Sequence, residues 1–122
     1  MSEIDLSLGR AHAALKAFRI PVTTEAEAQR GVEAALARGG IGFEPQVILG
    51  PGERPDALTD DGVAIEIKVK GTRPAIMRQL TRYAAHDRVR ALLLVSAVPW
   101  PWAAGEIGGK QFRLLRLSEG WL

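Results

Sequence analysis

The chain contains no cysteine. Disulfides and thiolate metal centres are therefore excluded, and a reducing, cytoplasmic setting is the expectation. The only histidines, His12 and His86, are far apart in sequence and lack the spacing of metal ligands. Neither Ser7 nor Ser96 sits in a GxSxG elbow, the turn that exposes a nucleophilic serine. Gly108-Gly109-Lys110 lacks the rest of a phosphate-binding loop and reads as a turn. No apolar run is long enough to span a membrane, and the charged amino terminus lacks a signal peptide's layout, so no membrane partner is expected. Repeats and low-complexity segments are missing too. What is present is 122 residues, 47% of them apolar, which predicts one domain (1–122) folded around its own core.

The formal net charge is only +2, too little to indicate a polyanionic partner by itself. Its distribution says more. Residues 1–67 carry six basic and eleven acidic side chains. From Lys68 to Arg90 there are seven basic residues (Lys68, Lys70, Arg73, Arg78, Arg82, Arg88, Arg90) against Asp87 alone. A basic strand-and-helix segment is what a phosphate backbone seeks, although charge on a helix also serves solubility.

That segment begins inside a strand pattern. Between Val63 and Lys70 the apolar residues Val63, Ile65, Ile67 and Val69 alternate with Ala64, Glu66, Lys68 and Lys70. Strict alternation predicts a half-buried strand and puts Glu66 and Lys68 on one face, about 7 Å apart. Arg54 to Thr59 can form the partner strand across an Asp60-Asp61-Gly62 turn. A three-residue loop with Gly62 left-handed pairs Thr59 with Val63 and sets Asp56 opposite Glu66. A two-residue turn would pair Asp56 with Ile67 and send it to the wrong face. In the longer register two carboxylates and an ammonium share a face. Two carboxylates can hold a hard divalent cation, and a neighbouring lysine can position or activate water. That chemistry suits phosphodiester hydrolysis; an ordinary wet strand face with a surface ion pair is the plainer alternative.

Pro55-Asp56 followed by Glu66-Ile67-Lys68 resembles the PD-(D/E)XK nuclease superfamily, matching its first motif and its (D/E)XK motif. The resemblance implies an α/β, restriction-endonuclease-like core (αβββαβ), a mixed sheet flanked by helices. It implies catalysis by Asp56, Glu66 and Lys68. Mg²⁺, with Mn²⁺ able to substitute, would be bound by Asp56, Glu66, the Ile67 carbonyl and a glutamate of the first core helix. Glu27 is the position carried over; Thr24-x-x-Glu27 is also a capping box, and the two roles are compatible. Glu25 and Glu33 are the other acids of that helix.

The chain can be read in the family's order over residues 24–97. Glu25 to Arg38 predicts the first core helix, with Ala26, Val32, Ala35 and Leu36 as its stripe and Gly39-Gly40 ending it. Ile41 to Leu49 reads as a strand that Pro45 confines to an edge or a bulge. Gly71-Thr72-Arg73-Pro74 opens a helix with Ile76, Leu80, Tyr83 and Ala84 at core spacing and Gln79 on the same stripe. Gln79-x-x-x-Tyr83 resembles the QxxxY motif of some branches of the superfamily, which implies contact with the active site or with nucleic acid. Arg90 to Ala97 predicts a strand covered on both faces. Residues 1–20 read as an extra helical extension, with an amphipathic helix from Leu6 to Phe18. Residues 98–122 read as an aromatic loop, Pro99-Trp100-Pro101-Trp102, and a last strand from Lys110 to Leu117. The tryptophans can lid the core, stack on bases, wedge a junction or meet a second copy.

The expectation is a metal-dependent DNA endonuclease, in the manner of the small Holliday-junction resolvases and virus-type replication-repair nucleases, working in a prokaryotic or virus-infected cell. Lys70, Arg73, Arg78, Gln79, Arg82 and Tyr83 are its expected nucleic-acid contacts. The partner is branched or duplex DNA. A homodimer is expected, with Leu8, Leu15, Phe18 and the Trp100-Trp102 loop as interface material. A catalytically inactive nucleic-acid-binding or assembly module and a restriction-like defence nuclease are the alternatives.

Overall fold

The computed structural model describes residues 1–117; the end of the expected domain, residues 118–122, lies outside the described residues. Three helices begin on side-chain caps. Helix α1 (Glu3–Lys16) opens on a Ser2–Asp5 capping box, α2 (Glu25–Arg38) on Thr24, and α3 (Arg73–Ala84) on Thr72 with Pro74 in its first turn. Each cap satisfies a backbone N–H that the first turn leaves without a helical partner. Among the described residues six strands follow in order: β1 (Phe43–Pro45), β2 (Ala57–Thr59), β3 (Val63–Lys68), β4 (Ala91–Ser96), β5 (Ala104–Ile107) and β6 (Lys110–Arg116).

The strands form one mixed sheet in the order β1-β2-β3-β4-β6-β5. The β1–β2, β2–β3 and β5–β6 pairs are antiparallel, and β3–β4 and β4–β6 are parallel. Helices α1 and α2 cover one face. Leu8, Leu15, Val32 and Leu36 pack there with Val63, Ile65, Ile67, Leu93 and Val95. Helix α3 covers the other, where Ile76, Leu80 and Tyr83 meet Ala64, Leu92, Leu94 and Phe112. Each fully buried leucine contributes about 2 kcal/mol by leaving water.

The second layer changes the reading of β3. Alternation predicted a half-buried strand, but Val63 to Ile67 are all buried. Ala64 and Glu66 face α3, not solvent. The parallel neighbour β4 explains this, since a crossover helix must lie on one face of the sheet. Strands β1 and β2 are shorter than the runs Ile41–Leu49 and Arg54–Thr59. Pro45 ends an edge strand, and Gln46 comes next in a left-handed conformation (φ 54°). The α2 stripe is carried by Ala28 in place of Ala26, which is exposed.

The interface material expected for a dimer is largely spent inside the monomer. Leu8 and Leu15 are buried in the core, and Phe18 packs against it. Trp100 and Trp102 fold back on Phe112, with ring centroids 5.9 and 4.9 Å from it. Strand β5, which the sequence did not signal, pairs with β6 through the Gly108-Gly109 turn.

The Asp60–Gly62 turn sets the register between β2 and β3. Ala57 pairs with Ile65 and Leu58 with Ala64, which is the three-residue loop. Gly62 has φ +94°, and its carbonyl accepts from Arg90 N at 2.7 Å. A side chain there would be strained and would press on the Arg90 side chain. Gly62→Ala is expected to cost about 1–2 kcal/mol in urea unfolding; an unchanged midpoint would show that the turn does not need its left-handed residue.

Candidate active site

Extending the β2–β3 register by one pair sets Asp56 opposite Glu66, on the α3 side of the sheet with Lys68. Asp56 precedes β2, and its side chain takes the place of a ladder partner. Its Oδ2 accepts the Ile67 N–H at 2.7 Å. The Lys68 carbonyl is taken by Ala97 N at 2.9 Å, so alternation turns the Ile67 backbone groups the other way, toward the Asp56 side. Two glutamines add to the hold on Asp56. Gln29 of α2 donates to its carbonyl at 2.9 Å, and Gln46 lies 3.5 Å from Oδ1.

Glu66 is held at both oxygens. The Lys68 ammonium lies 3.2 Å from Oε2, and the Tyr83 hydroxyl donates to Oε1 at 3.0 Å. Gln79 in turn donates to the Tyr83 oxygen at 2.8 Å. The side chain at Gln79 is thus the outer end of a relay that α3 delivers at a spacing of one turn. Only 4% of Glu66 is exposed, so each of these bonds offsets a charge removed from water.

The electrostatics reflect this crowding. Burial pushes the Glu66 carboxyl up to about 7, and the Asp56 charge adds to the rise while Lys68 and Tyr83 oppose it. Burial likewise raises Asp56, against the Ile67 N–H and with a further push from the Glu25 charge. Burial and the neighbouring Glu66 carboxylate raise the Tyr83 hydroxyl far above its ordinary value, so it stays a donor. Two acids that disfavour each other's ionisation are a place where a cation binds favourably.

The other expected residues divide. Glu27 stands apart from this cluster: its backbone N–H bonds Thr24 Oγ1 at 3.1 Å, and its carboxylate accepts the Thr23 hydroxyl. Among the described residues no group of three or more His, Cys, Asp or Glu side chains gathers as a metal site. Helix α2 instead reaches the motif through Gln29, which also bonds Glu33 at 2.6 Å. The signal for Gln29 was its place four residues from both Glu25 and Glu33, on a flank that faces the sheet. Tyr83 is fully buried, so it supports Glu66 from within and does not face a nucleic-acid backbone. Lys70, Arg73, Arg78 and Arg82 are exposed, with Arg82 Nε 3.7 Å from Glu53. Glu53 also meets His86 at 2.6 Å, a contact the sequence did not suggest. Arg88 and Arg90 line the opposite end of the sheet with Asp60, Asp61 and Asp87.

No protein-family model, curated protein or solved structure matches this chain. The geometry therefore carries the functional reading.

Because the folded Glu66 carboxyl titrates above its ordinary value of 4.5, the folded state holds its proton more tightly than the unfolded chain does. Glu66 therefore costs stability progressively as pH rises from about 4.5 to 7, by about 3 kcal/mol in all. Glu66→Gln removes that titration. In metal-free buffer the wild type is expected to lose about 2–3 kcal/mol more than Glu66→Gln between pH 5 and pH 8, read by urea unfolding. Parallel pH profiles would refute the buried, raised carboxyl.

Proposed function

We propose that this chain is a metal-dependent DNA endonuclease of the PD-(D/E)XK type, and that Asp56, Glu66 and Lys68 are its catalytic residues. The observation that carries the reading is the pair of carboxylates withdrawn from water, with the Asp56 charge adding to the rise at Glu66 and the Lys68 ammonium 3.2 Å from Glu66. The order α2-β1-β2-β3-α3-β4 and the sheet's antiparallel-then-parallel pairing support a restriction-endonuclease-like core.

The donor set suits a hard cation. Asp56 and Glu66 offer carboxylate oxygens, the Ile67 backbone is turned to the same side, and no sulfur or imidazole competes; Mg²⁺ or Mn²⁺ fits such ligands. Bound there, the ion would neutralise phosphate charge and acidify water. Glu27, whose carboxylate accepts the Thr23 hydroxyl, shares none of the bonds that tie Asp56, Glu66 and Lys68 together. The protein's own groups have separable tasks. The Ile67 N–H and Gln46 orient Asp56. Tyr83, steadied by Gln79, orients Glu66. Lys68 is partly exposed, and its ammonium can hold the attacking water and donate to the oxygen on which negative charge develops. Exposed Lys70, Arg73 and Arg78 would take neighbouring phosphates without reading bases.

Lys68→Ala and Asp56→Asn are expected to lower cleavage of plasmid and four-way DNA in Mg²⁺ at least about 100-fold. DNA affinity, measured in Ca²⁺, should change less than threefold for Lys68→Ala, because other cations carry the backbone contacts. Full activity in either variant would remove the assigned mechanism. A wild type that binds DNA and never cuts it with Mg²⁺ or Mn²⁺ would make the chain a non-catalytic binding module.

A resolvase-like role further requires two sites for two strands, hence a two-fold dimer. Among the described residues, exposed Met1, Leu6 and Ile48 are large apolar side chains open to such a contact. Light scattering at micromolar concentration should then give twice the monomer mass, with or without a junction. A monomer under both conditions would leave a nicking or end-processing enzyme.

A further inference from the structure

The loop after β4 lies at the same end of the sheet as the catalytic lysine. Lys68 pairs with Ser96 in the parallel ladder, and the Lys68 carbonyl accepts both Ala97 N at 2.9 Å and the Ser96 hydroxyl at 3.1 Å. Pro99-Trp100-Pro101-Trp102 continues from there and returns along Phe112. Beside it, Arg73, Pro74 and Met77 of α3 complete a shallow groove of about 280 Å³ with Trp100, Pro101 and Trp102. The groove is aromatic and apolar, yet exposed Arg73 gives it a cationic edge, and exposed Lys70 lies three residues before Arg73 in the chain.

Packing alone accounts poorly for this composition. Among the described residues the Trp100 indole N–H is buried without a hydrogen-bond partner, a cost that phenylalanine would avoid at a purely structural position. Neither tryptophan is fully enclosed, and two prolines restrict the loop's backbone, so little entropy would be lost on binding. A planar ligand with an attached anion matches an aromatic floor and a guanidinium edge. An unpaired nucleotide has both parts: its base stacks on indole, and its phosphate meets arginine or lysine. A fully paired duplex keeps its bases inside the stack and offers only the phosphate.

We propose that this groove is a stacking subsite for an unpaired nucleotide, with Trp102 as its platform and Arg73 as its phosphate contact. It makes the preferred substrate a nucleic acid with a single-stranded segment next to the scissile bond. The assignment rests on the nuclease reading for its location, but binding at the groove is separable from cleavage.

Anisotropy titrations in Ca²⁺ with a labelled single strand, a flapped duplex and a blunt matched duplex test it. Trp102→Ala should weaken the single strand and the flap at least about fivefold and leave the blunt duplex unchanged. Trp102→Phe, which keeps a ring and the packing on Phe112, should recover most of that loss, and Arg73→Gln should weaken both open substrates. The wild type should show tryptophan quenching by the single strand that Trp102→Phe diminishes. Equal losses on open and paired DNA, or Trp102→Phe binding open DNA no better than a folded Trp102→Ala, would overturn the subsite. So would unquenched fluorescence at saturation. Cleavage that needs Lys68 while Trp102→Ala keeps full affinity for every substrate would overturn the subsite and leave the nuclease reading standing. Selective loss on open DNA in a protein that never cuts would do the reverse.

Discussion

Burying a carboxylate costs several kcal/mol unless its oxygens are bonded and its charge is met, and Glu66 lies in a strand covered on both faces. Much of the surrounding structure answers that burden. Lys68 comes from the same face two residues on, so the strand's own period supplies the counter-charge. Tyr83 comes from α3, and its hydroxyl, buried as well, needs a partner that Gln79 provides one turn back. The Thr72 cap and Pro74 fix where α3 starts, and hence which turn of it lies over Glu66. Asp56 adds a second, half-buried acid, which only worsens the balance. Its bond from the Ile67 N–H offsets only part of that cost, since burial still raises its carboxyl.

Local signals carried the fold where the relevant chemistry is local. Helix α2 begins and ends at Glu25 and Arg38 as the Thr24 cap and the Gly39-Gly40 stop predict. The Asp60–Gly62 turn was legible because a left-handed glycine and a three-residue loop are matters of neighbouring backbone. The burial of the Glu66 face was not. Charged residues at alternate positions look the same whether water or a helix covers them, and α3 arrives only after a crossover. Strand β5 escaped because Ala104-Gly105-Glu106 is exposed and carries no period; its pairing is imposed by β6.

The site was legible in part for the same reason. Two turn lengths were open to the sequence; the three-residue loop, which the structure has, sets Asp56 opposite Glu66, and strand alternation places Lys68 beside it. From α2 the sequence singled out Glu27, whose carboxylate accepts a threonine hydroxyl at the helix's own amino terminus, while Gln29, two residues on, reaches Asp56. A helix offers several polar side chains along one flank, and which of them meets the sheet depends on packing that sequence spacing does not specify. Tyr83 was found by its spacing from Gln79, but its depth of burial turned a suspected surface contact into an internal support.

The uneven charge along the chain acquires a spatial meaning from the parallel strands. β3 and β4 run the same way, so their carboxyl-terminal continuations leave at one end of the sheet: Lys68, Lys70 and Arg73 from β3, and the tryptophan loop from β4. Asp60, Asp61 and Asp87 precede these strands and collect at the other end, where Arg88 reaches Glu44 at 3.5 Å. On the proposed reading a polyanion would meet exposed Lys70 and Arg73 at one end, and at the other Asp60, Asp61 and Asp87 with Arg88 and Arg90 among them. Open parallel sheets place ligands at the carboxyl ends of their strands, and here that end also holds exposed Lys70 and Arg73 and the acid pair. Orientation of a nucleic acid on this molecule would thus be set by the sheet's topology before any base is recognised.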